Sequence, residues 1–135
     1  MKAFNRALIA EWRANNGQLR GRMAGRNLIL LTTTGARSGE LRTAVLSFGR
    51  HGDNIVAIAS NNGAPAHPAW YLNLLKRPTA TVELGPDKFE VRARTAKPEE
   101  RLALAQAVPY LESQQQLTER EIPIVVLERV ETQAW

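Results

Sequence analysis

The chain has no cysteine and only two histidines in 135 residues. Without cysteine there is no disulfide framework, no thiolate metal site and no cysteine nucleophile, a pattern that fits a reducing compartment. His51 lies in a turn and His67 just before a helix, and neither has a partner nearby in the sequence; both read as surface or capping residues, and no catalytic triad suggests itself. Long apolar runs are missing too. Nothing approaches the ~18 consecutive apolar residues of a membrane span, and the opening Met-Lys-Ala-Phe-Asn-Arg lacks the apolar stretch of a signal peptide, so a cytoplasmic protein is expected. Acids are scarce in one half only. Residues 1–52 hold nine Lys or Arg against Glu11 and Glu40, while residues 53–135 hold nine against eleven.

The net charge of +5 therefore belongs to the N-terminal part. Such a field attracts nucleic acid, an anionic membrane or an anionic small molecule alike. Fourteen arginines against four lysines suit forked recognition of phosphate or carboxylate, although a biased base composition gives the same ratio. Nucleic acid is the poorest fit despite the pI, because aromatic and basic residues are not interleaved as single-strand stacking requires. With 44% hydrophobic residues the chain can form one ordinary core, removing roughly two thirds of its unfolded surface from water.

Phe4, Leu8, Ile9 and Trp12 recur at helical spacing, predicting an amphipathic helix over residues 3–15. Gly17, Gly21 and Gly25 then alternate with Arg20, Arg22 and Arg26 in a basic connector, so residues 1–24 are expected to stand apart from a main domain over 25–135. This helix and connector are candidates for peripheral contact with the inner face of an anionic membrane; the plainer alternative is a helix packed on the domain. Residues 27–33, 41–50 and 55–60 read as three strands in a meander. Pro68 opens a short helix with Trp70, Tyr71, Leu74 and Leu75 on one face, and Pro78 stops it. Residues 79–84 and 89–95 form the clearest hairpin, with Phe89, Val91 and Ala93 on one face and Glu90, Arg92 and Arg94 on the other. Pro98-Glu99-Glu100 starts a helix to about Val108. A last strand over 122–129 carries Ile124-Val125-Val126-Leu127, apolar enough to be covered on both faces. About six strands joined mainly by hairpins, with few helices between them, predict a mainly β, antiparallel barrel rather than a doubly wound sheet.

The most chemically suggestive segment is Thr32-Thr33-Thr34-Gly35-Ala36-Arg37-Ser38-Gly39-Glu40-Leu41-Arg42. Glycines let backbone N–H groups approach a ligand, and arginine forks complete an anion site. The segment lacks the P-loop lysine spacing and any GxGxxG, so on its own it reads more readily as a solvated basic loop.

Taken with Ala59-Ser60-Asn61-Asn62-Gly63, His67-Pro68-Ala69-Trp70-Tyr71-Leu72-Asn73-Leu74 and Glu121-Ile122-Pro123-Ile124-Val125-Val126-Leu127-Glu128, this segment resembles the deazaflavin-dependent nitroreductase family. That family includes actinobacterial quinone reductases and nitroreductases that use reduced coenzyme F420, and the similarity runs in order from about residue 25 to 130. The resemblance implies a flavin-reductase-like split β-barrel and hydride transfer to a quinone, nitro or conjugated organic acceptor. It places Ala36, Arg37, Ser38 and the run Arg42, Thr43, Ala44, Val45, Leu46 and Ser47 along the cofactor's phosphate-bearing tail. Ile58, Ala59, Ser60 and Asn61 would line the deazaflavin ring, with Ala69, Trp70, Tyr71, Leu72 and Asn73 closing the pocket; Trp70 reads equally as a core residue. Ser60 and Tyr110 are the candidate catalytic residues, and no metal is implied.

Two departures from the family stand out. Characterised nitroreductases have several tyrosines before the last strand, whereas Val108-Pro109-Tyr110-Leu111-Glu112-Ser113-Gln114-Gln115-Gln116 keeps Tyr110 alone. Asn61 stands where a basic residue is common, shifting weight to Arg37 and Arg42. The rival readings are a split barrel that carries the deazaflavin without turnover and one that binds FMN instead. The oligomeric state is not readable from the residues.

Overall fold

The computed structural model describes residues 2–15, 17 and 27–130, and side chains from residue 6 onward; the Arg20, Arg22 and Arg26 connector lies outside the described residues. Seven strands form one antiparallel sheet: β1 Leu28–Thr34, β2 Leu41–Ser47, β3 Gly49–His51, β4 Asn54–Ile58, β5 Thr79–Leu84, β6 Asp87–Thr95 and β7 Ile124–Arg129. The helices are α1 Lys2–Ala14, α2 Ala69–Lys76, α3 Arg101–Ala105 and α4 Leu111–Gln115, with 3-10 turns at Asn61–Gly63 and Pro98–Glu100.

The strand order is β2-β1-β5-β6-β7-β4-β3. Its two edge strands are consecutive in the chain, joined through Phe48 alone, so the sheet curls until its edges approach. Phe48 N–H donates to the Asn27 carbonyl just before β1 (3.4 Å), and its ring packs on the main core. This is the mainly β, curled half-barrel expected, with two corrections. The stretch 41–50 divides at Phe48 into two strands, making seven rather than six. The first three strands are also not a meander, because β4 pairs with β7 and not with β2. Local alternation sets which face each residue takes, but the partner strand is chosen by burial across the whole sheet.

Two cores lie on the two faces of the sheet. Ile29, Leu31, Ile55, Ala57, Val82, Val91, Val125 and Leu127 pack together under Trp70, Tyr71 and Leu74 of α2. On the opposite face Val56, Ile58, Ile124 and Val126 meet Leu104, Val108, Leu111 and Ile122. β7 alternates between the two, and its four apolar residues are at most 1% exposed, as expected for a strand covered on both sides. Each such side chain contributes about 1.5–3 kcal/mol of burial.

Other elements differ in detail. In α2 Leu75 is 59% exposed and Asn73 is buried in its stead. The expected helix from Pro98 to Val108 is a 3-10 turn followed by the five residues of α3, because Pro109 lacks an N–H and disfavours helical geometry at Val108. Gly49 is required by close approach: a side chain there would overlap the Ala107 carbonyl oxygen, so glycine lets β3 pass against the α3–α4 segment. Ile9 and Trp12 of α1 pack on Leu28, Leu30 and Val45, and Arg13 pairs with Glu83 of β5 at 2.9 Å. That much of the helix's apolar face covers the barrel rather than facing a membrane. No helix among the described residues is long and apolar enough to cross one.

Candidate functional site

The Gly35–Gly39 turn between β1 and β2 is held in shape by its own backbone and by α2. Gly35 N–H donates to Glu40 O (2.7 Å), Gly39 N–H to Gly35 O (3.0 Å) and Glu40 N–H to Ser38 Oγ (3.1 Å). Asn73, 6% exposed, ties the turn to the sheet: its Oδ1 accepts from Ala36 N–H (2.9 Å) and its Nδ2 donates to Thr33 Oγ1 (3.0 Å). Lys76 Nζ donates to Ala36 O (2.7 Å). Arg37 is exposed and makes no hydrogen bond or ion pair within the described residues. Arg42 pairs with Glu40 at 3.1 Å, both side chains about two thirds exposed (65% and 69%). A pair so exposed is worth roughly 0–1 kcal/mol and yields readily to a stronger anion.

This turn borders a cavity of about 700 Å³ whose other wall is Ala69, Trp70, Leu72 and Asn73 of α2. A second cavity, about 390 Å³, is walled by Ala44 to Ser47 of β2, by Ile58, Ser60, Asn61 and Asn62, by Pro68 and Trp70, and by Tyr110 and Gln114. Ala44 and Trp70 line both, so the two are neighbouring compartments divided by one small and one aromatic residue. Ser47 and Tyr110 in turn connect the second to a third, about 880 Å³, lined by Phe48, Arg50, Leu84, Ala107 and Pro109. All three fall in the ~300–1,000 Å³ range of small-molecule sites.

The sequence-predicted residues divide between these compartments. Ala36, Arg37, Ser38, Arg42, Thr43, Ala69, Leu72 and Asn73 border the first, and Val45, Leu46, Ser47, Ile58, Ser60 and Asn61 border the second together with Tyr110. Trp70 is both core and wall, at 9% exposure. Two residues are placed differently. Ala59 is fully buried in the core, and Tyr71 turns from the cavities to share a hydrogen bond with Thr95 Oγ1 (2.7 Å). Alternation explains Ala59, whose neighbours Ile58 and Ser60 take the cavity side. Ala69, Trp70, Leu72 and Asn73 fall on one arc of the helix, and Tyr71 lies on the opposite side of it.

Gln114 was not foreseen. It lies four residues after Tyr110, one turn along α4, a helix that the glutamine-rich composition does not announce. Tyr110 Oη and Gln114 Oε1 are both buried without a hydrogen-bond partner among the described residues. Burial pushes the Tyr110 hydroxyl up to about 12, so it stays protonated as a donor and does not serve as a base. The Ser60 hydroxyl has no partner within the described residues either. His67, by contrast, is no simple surface or capping residue: its Nδ1 lies 3.0 Å from an Arg120 nitrogen, and its ring meets Tyr71 edge-on at 5.1 Å. The described residues contain no His, Cys, Asp or Glu cluster able to hold a metal ion.

Comparison with known proteins identifies the family. The profile of the F420H(2)-dependent quinone reductase family matches residues 4–129. An F420H(2)-dependent quinone reductase of Mycobacterium tuberculosis is 34% identical over 128 residues, covering 89% of this chain and 86% of that one. Among solved structures, an F420-H2 dependent reductase superposes with a TM-score of 0.67 at 34% identity, covering 76% of this chain and 95% of that one. A domain-swapped dimer superposes with a TM-score of 0.70 at 31% identity, covering 91% and 93%. A β-barrel with an arginine-bordered turn beside a partly aromatic cavity, matched to these relatives over most of its length, belongs to the F420H(2)-dependent quinone reductase family.

Proposed function

We propose that this chain binds coenzyme F420 across the two compartments that meet at Ala44 and Trp70 and reduces a quinone that enters by the third. The observation that carries this reading is the pair of orphaned polar atoms, Tyr110 Oη and Gln114 Oε1, beside a cavity open on one side to arginines. Buried polar atoms without partners are costly, about 1–3 kcal/mol each, a cost that a ligand or water reaching them would offset. Arg37, with no partner among the described residues, and Arg42, held there by an exposed pair with Glu40, would take the anionic tail. When bound, the reduced cofactor supplies a hydride, and the quinone takes up one further proton to leave as hydroquinone.

The protein's own part is then orientation and electrostatics. Ala44 to Ser47, Ile58 and Trp70 form a slot for a flat ring. Tyr110, kept protonated by burial, donates a hydrogen bond to the quinone oxygen as negative charge gathers there. The Ser60 hydroxyl, also unpartnered, is a second donor at the same cavity. Neither gives up its proton: the one that completes the hydroquinone comes from water.

Fluorescence titration with coenzyme F420, with FMN in parallel, tests the cofactor. Saturation by the deazaflavin at micromolar concentration and much weaker FMN binding is expected; preference for FMN would overturn the assignment. Oxidation of the bound reduced cofactor by a panel of quinones then tests turnover, and no acceptor-dependent oxidation would leave a carrier protein.

A further inference from the structure

The wall of the ring-sized cavity formed by Ser60, Asn61 and Asn62 is not held by the sheet. β4 ends at Ile58, and Asn61 and Asn62 adopt φ of 49° and 54°, consecutive left-handed conformations in residues that are not glycine. Asparagine tolerates this conformation better than other non-glycine residues, but two in succession still carry a cost that the surroundings must offset. The 3-10 turn itself contributes two hydrogen bonds, Gly63 N–H to Ser60 O (2.9 Å) and Ala64 N–H to Asn61 O (3.0 Å). Asn61 Nδ2 adds one to Ala66 O (3.1 Å).

Ala59 N–H continues the ladder past β4 onto Pro123 O (2.9 Å), and a further restraint comes from the side chain of a residue far along the chain. Arg120, in the link between α4 and β7, reaches across with Nε on Ala64 O (3.0 Å) and one terminal nitrogen on both Ala59 O (3.1 Å) and Ser60 O (2.8 Å). The other terminal nitrogen lies 3.0 Å from His67 Nδ1. A guanidinium only donates, so His67 Nδ1 accepts and the imidazole carries its proton on Nε2. Four bonds from one planar group thus span the loop from residue 59 to residue 67. Arg120 forms no ion pair within the described residues; carbonyl dipoles and a neutral ring receive its charge. The link is itself braced, with Gln115 Nε2 donating to Arg120 O (2.6 Å) and Gln115 Oε1 accepting from Ile122 N–H (2.9 Å). Leu117 from the same link fills the space where any side chain at Gly63 would sit.

We propose that Arg120 is a positioning residue for the cofactor site, acting through the backbone of Ala59 to Ala64 to hold the Ser60–Asn62 wall in its binding shape. It lines none of the three compartments, so its effect on a ligand passes through that loop. Lysine cannot replace it, since one ammonium cannot reach carbonyls at residues 59, 60 and 64 and the imidazole together. The effect on binding rests on the cofactor assignment above; the effect on the loop does not.

The test compares Arg120→Lys with Gln115→Ala, which loosens the same link without touching the loop, and with His67→Ala, which removes one of the four bonds. Melting temperature, F420 affinity, the absorption spectrum of the bound cofactor and amide exchange over residues 59–67 are read for each. Arg120→Lys is expected to weaken F420 binding at least tenfold, shift the bound spectrum and speed exchange at Gly63 and Ala64 at least tenfold. His67→Ala should weaken binding by a few fold and carries the test if Arg120→Lys does not fold. Gln115→Ala, which loosens the brace behind Arg120 but removes none of its four bonds, should weaken binding by less than Arg120→Lys does, whatever its melting temperature. Binding by Arg120→Lys within twofold of the parent, or equal losses in Arg120→Lys and Gln115→Ala at matched stability, would overturn the proposal. If the unaltered protein binds no F420, the cofactor assignment fails, and loop exchange decides this one alone: unchanged exchange in the Arg120 or His67 variant overturns it, faster exchange sustains it.

Discussion

The two sides of the candidate site are built in opposite ways. The arginines of one side come from one hairpin, β1–turn–β2, where Thr33, Ala36, Arg37, Ser38 and Arg42 lie within ten residues and the turn's own hydrogen bonds are joined by those of Asn73 and Lys76 from α2. The ring side shares Ala44 to Ser47 with that hairpin but takes the rest from distant segments: Ile58 at the end of β4, Ser60 to Asn62 beyond it, Trp70 from α2, Tyr110 just before α4 and Gln114 within it, fastened by Arg120 some sixty residues from the loop it holds. A site side made of neighbours in sequence can change its chemistry without disturbing the fold. One assembled from distant segments shares its stability with the core, so damage to either is felt in both.

The largest effect should come from breaking the core behind the ring side. Leu127→Ala empties a 1% exposed position on the strand that carries β4, and about 2–5 kcal/mol of stability should be lost, measured by denaturant unfolding. The arginine side should behave otherwise. Arg37→Ala is expected to weaken F420 binding by about 1.5–3 kcal/mol, roughly 10- to 100-fold, with unfolding unchanged, as titration and melting together would show. A stability loss as large as the affinity loss would erase the contrast between the two sides.

Asn73 is where the contrast should blur. Asn73→Ala leaves Ala36 N–H and Thr33 Oγ1 without their partner, so about 1–3 kcal/mol should go from stability while the turn loosens and affinity falls as well. The smallest effect on folding belongs to Tyr110→Phe, which removes a hydroxyl that bonds to nothing. Stability near neutral pH should be unchanged or slightly higher, while turnover with a quinone should fall several-fold; unchanged turnover would deny Tyr110 its donor role. The same variant has a pH signature. Because burial raises the hydroxyl from 10 to about 12, the unfolded chain ionises first as pH rises through that window, and the parent protein should lose stability there relative to Tyr110→Phe. Parallel stability curves between pH 10 and 12 would contradict the burial.

Much of the arginine side was legible because its chemistry is contiguous: glycines, small hydroxyl residues and two arginines between two apolar runs announce a turn that can meet an anion. The ring side was legible only in part. Ser60, Trp70 and Tyr110 were singled out, the first two from motifs carrying the family resemblance, yet nothing in those motifs separated Trp70, which walls the cavity, from Tyr71, which bonds to Thr95. Gln114 and Arg120 lay outside every reading. Their roles come from position alone, and a glutamine or arginine in a polar link looks like any solvated residue.

The division follows from the range of the forces involved. Periodicity and turn chemistry act between near neighbours, and they were enough to specify the strands, the two-faced burial of Ile124 to Leu127, the β5–β6 hairpin and the basic turn. The pairing of β4 with β7, the separation of β2 from β3 at Phe48 and the clasp of Arg120 on the 59–67 loop involve residues far apart in the chain. These were decided only when the whole sheet curled, because burying both of its faces at once is a property of the assembled molecule and of no single segment.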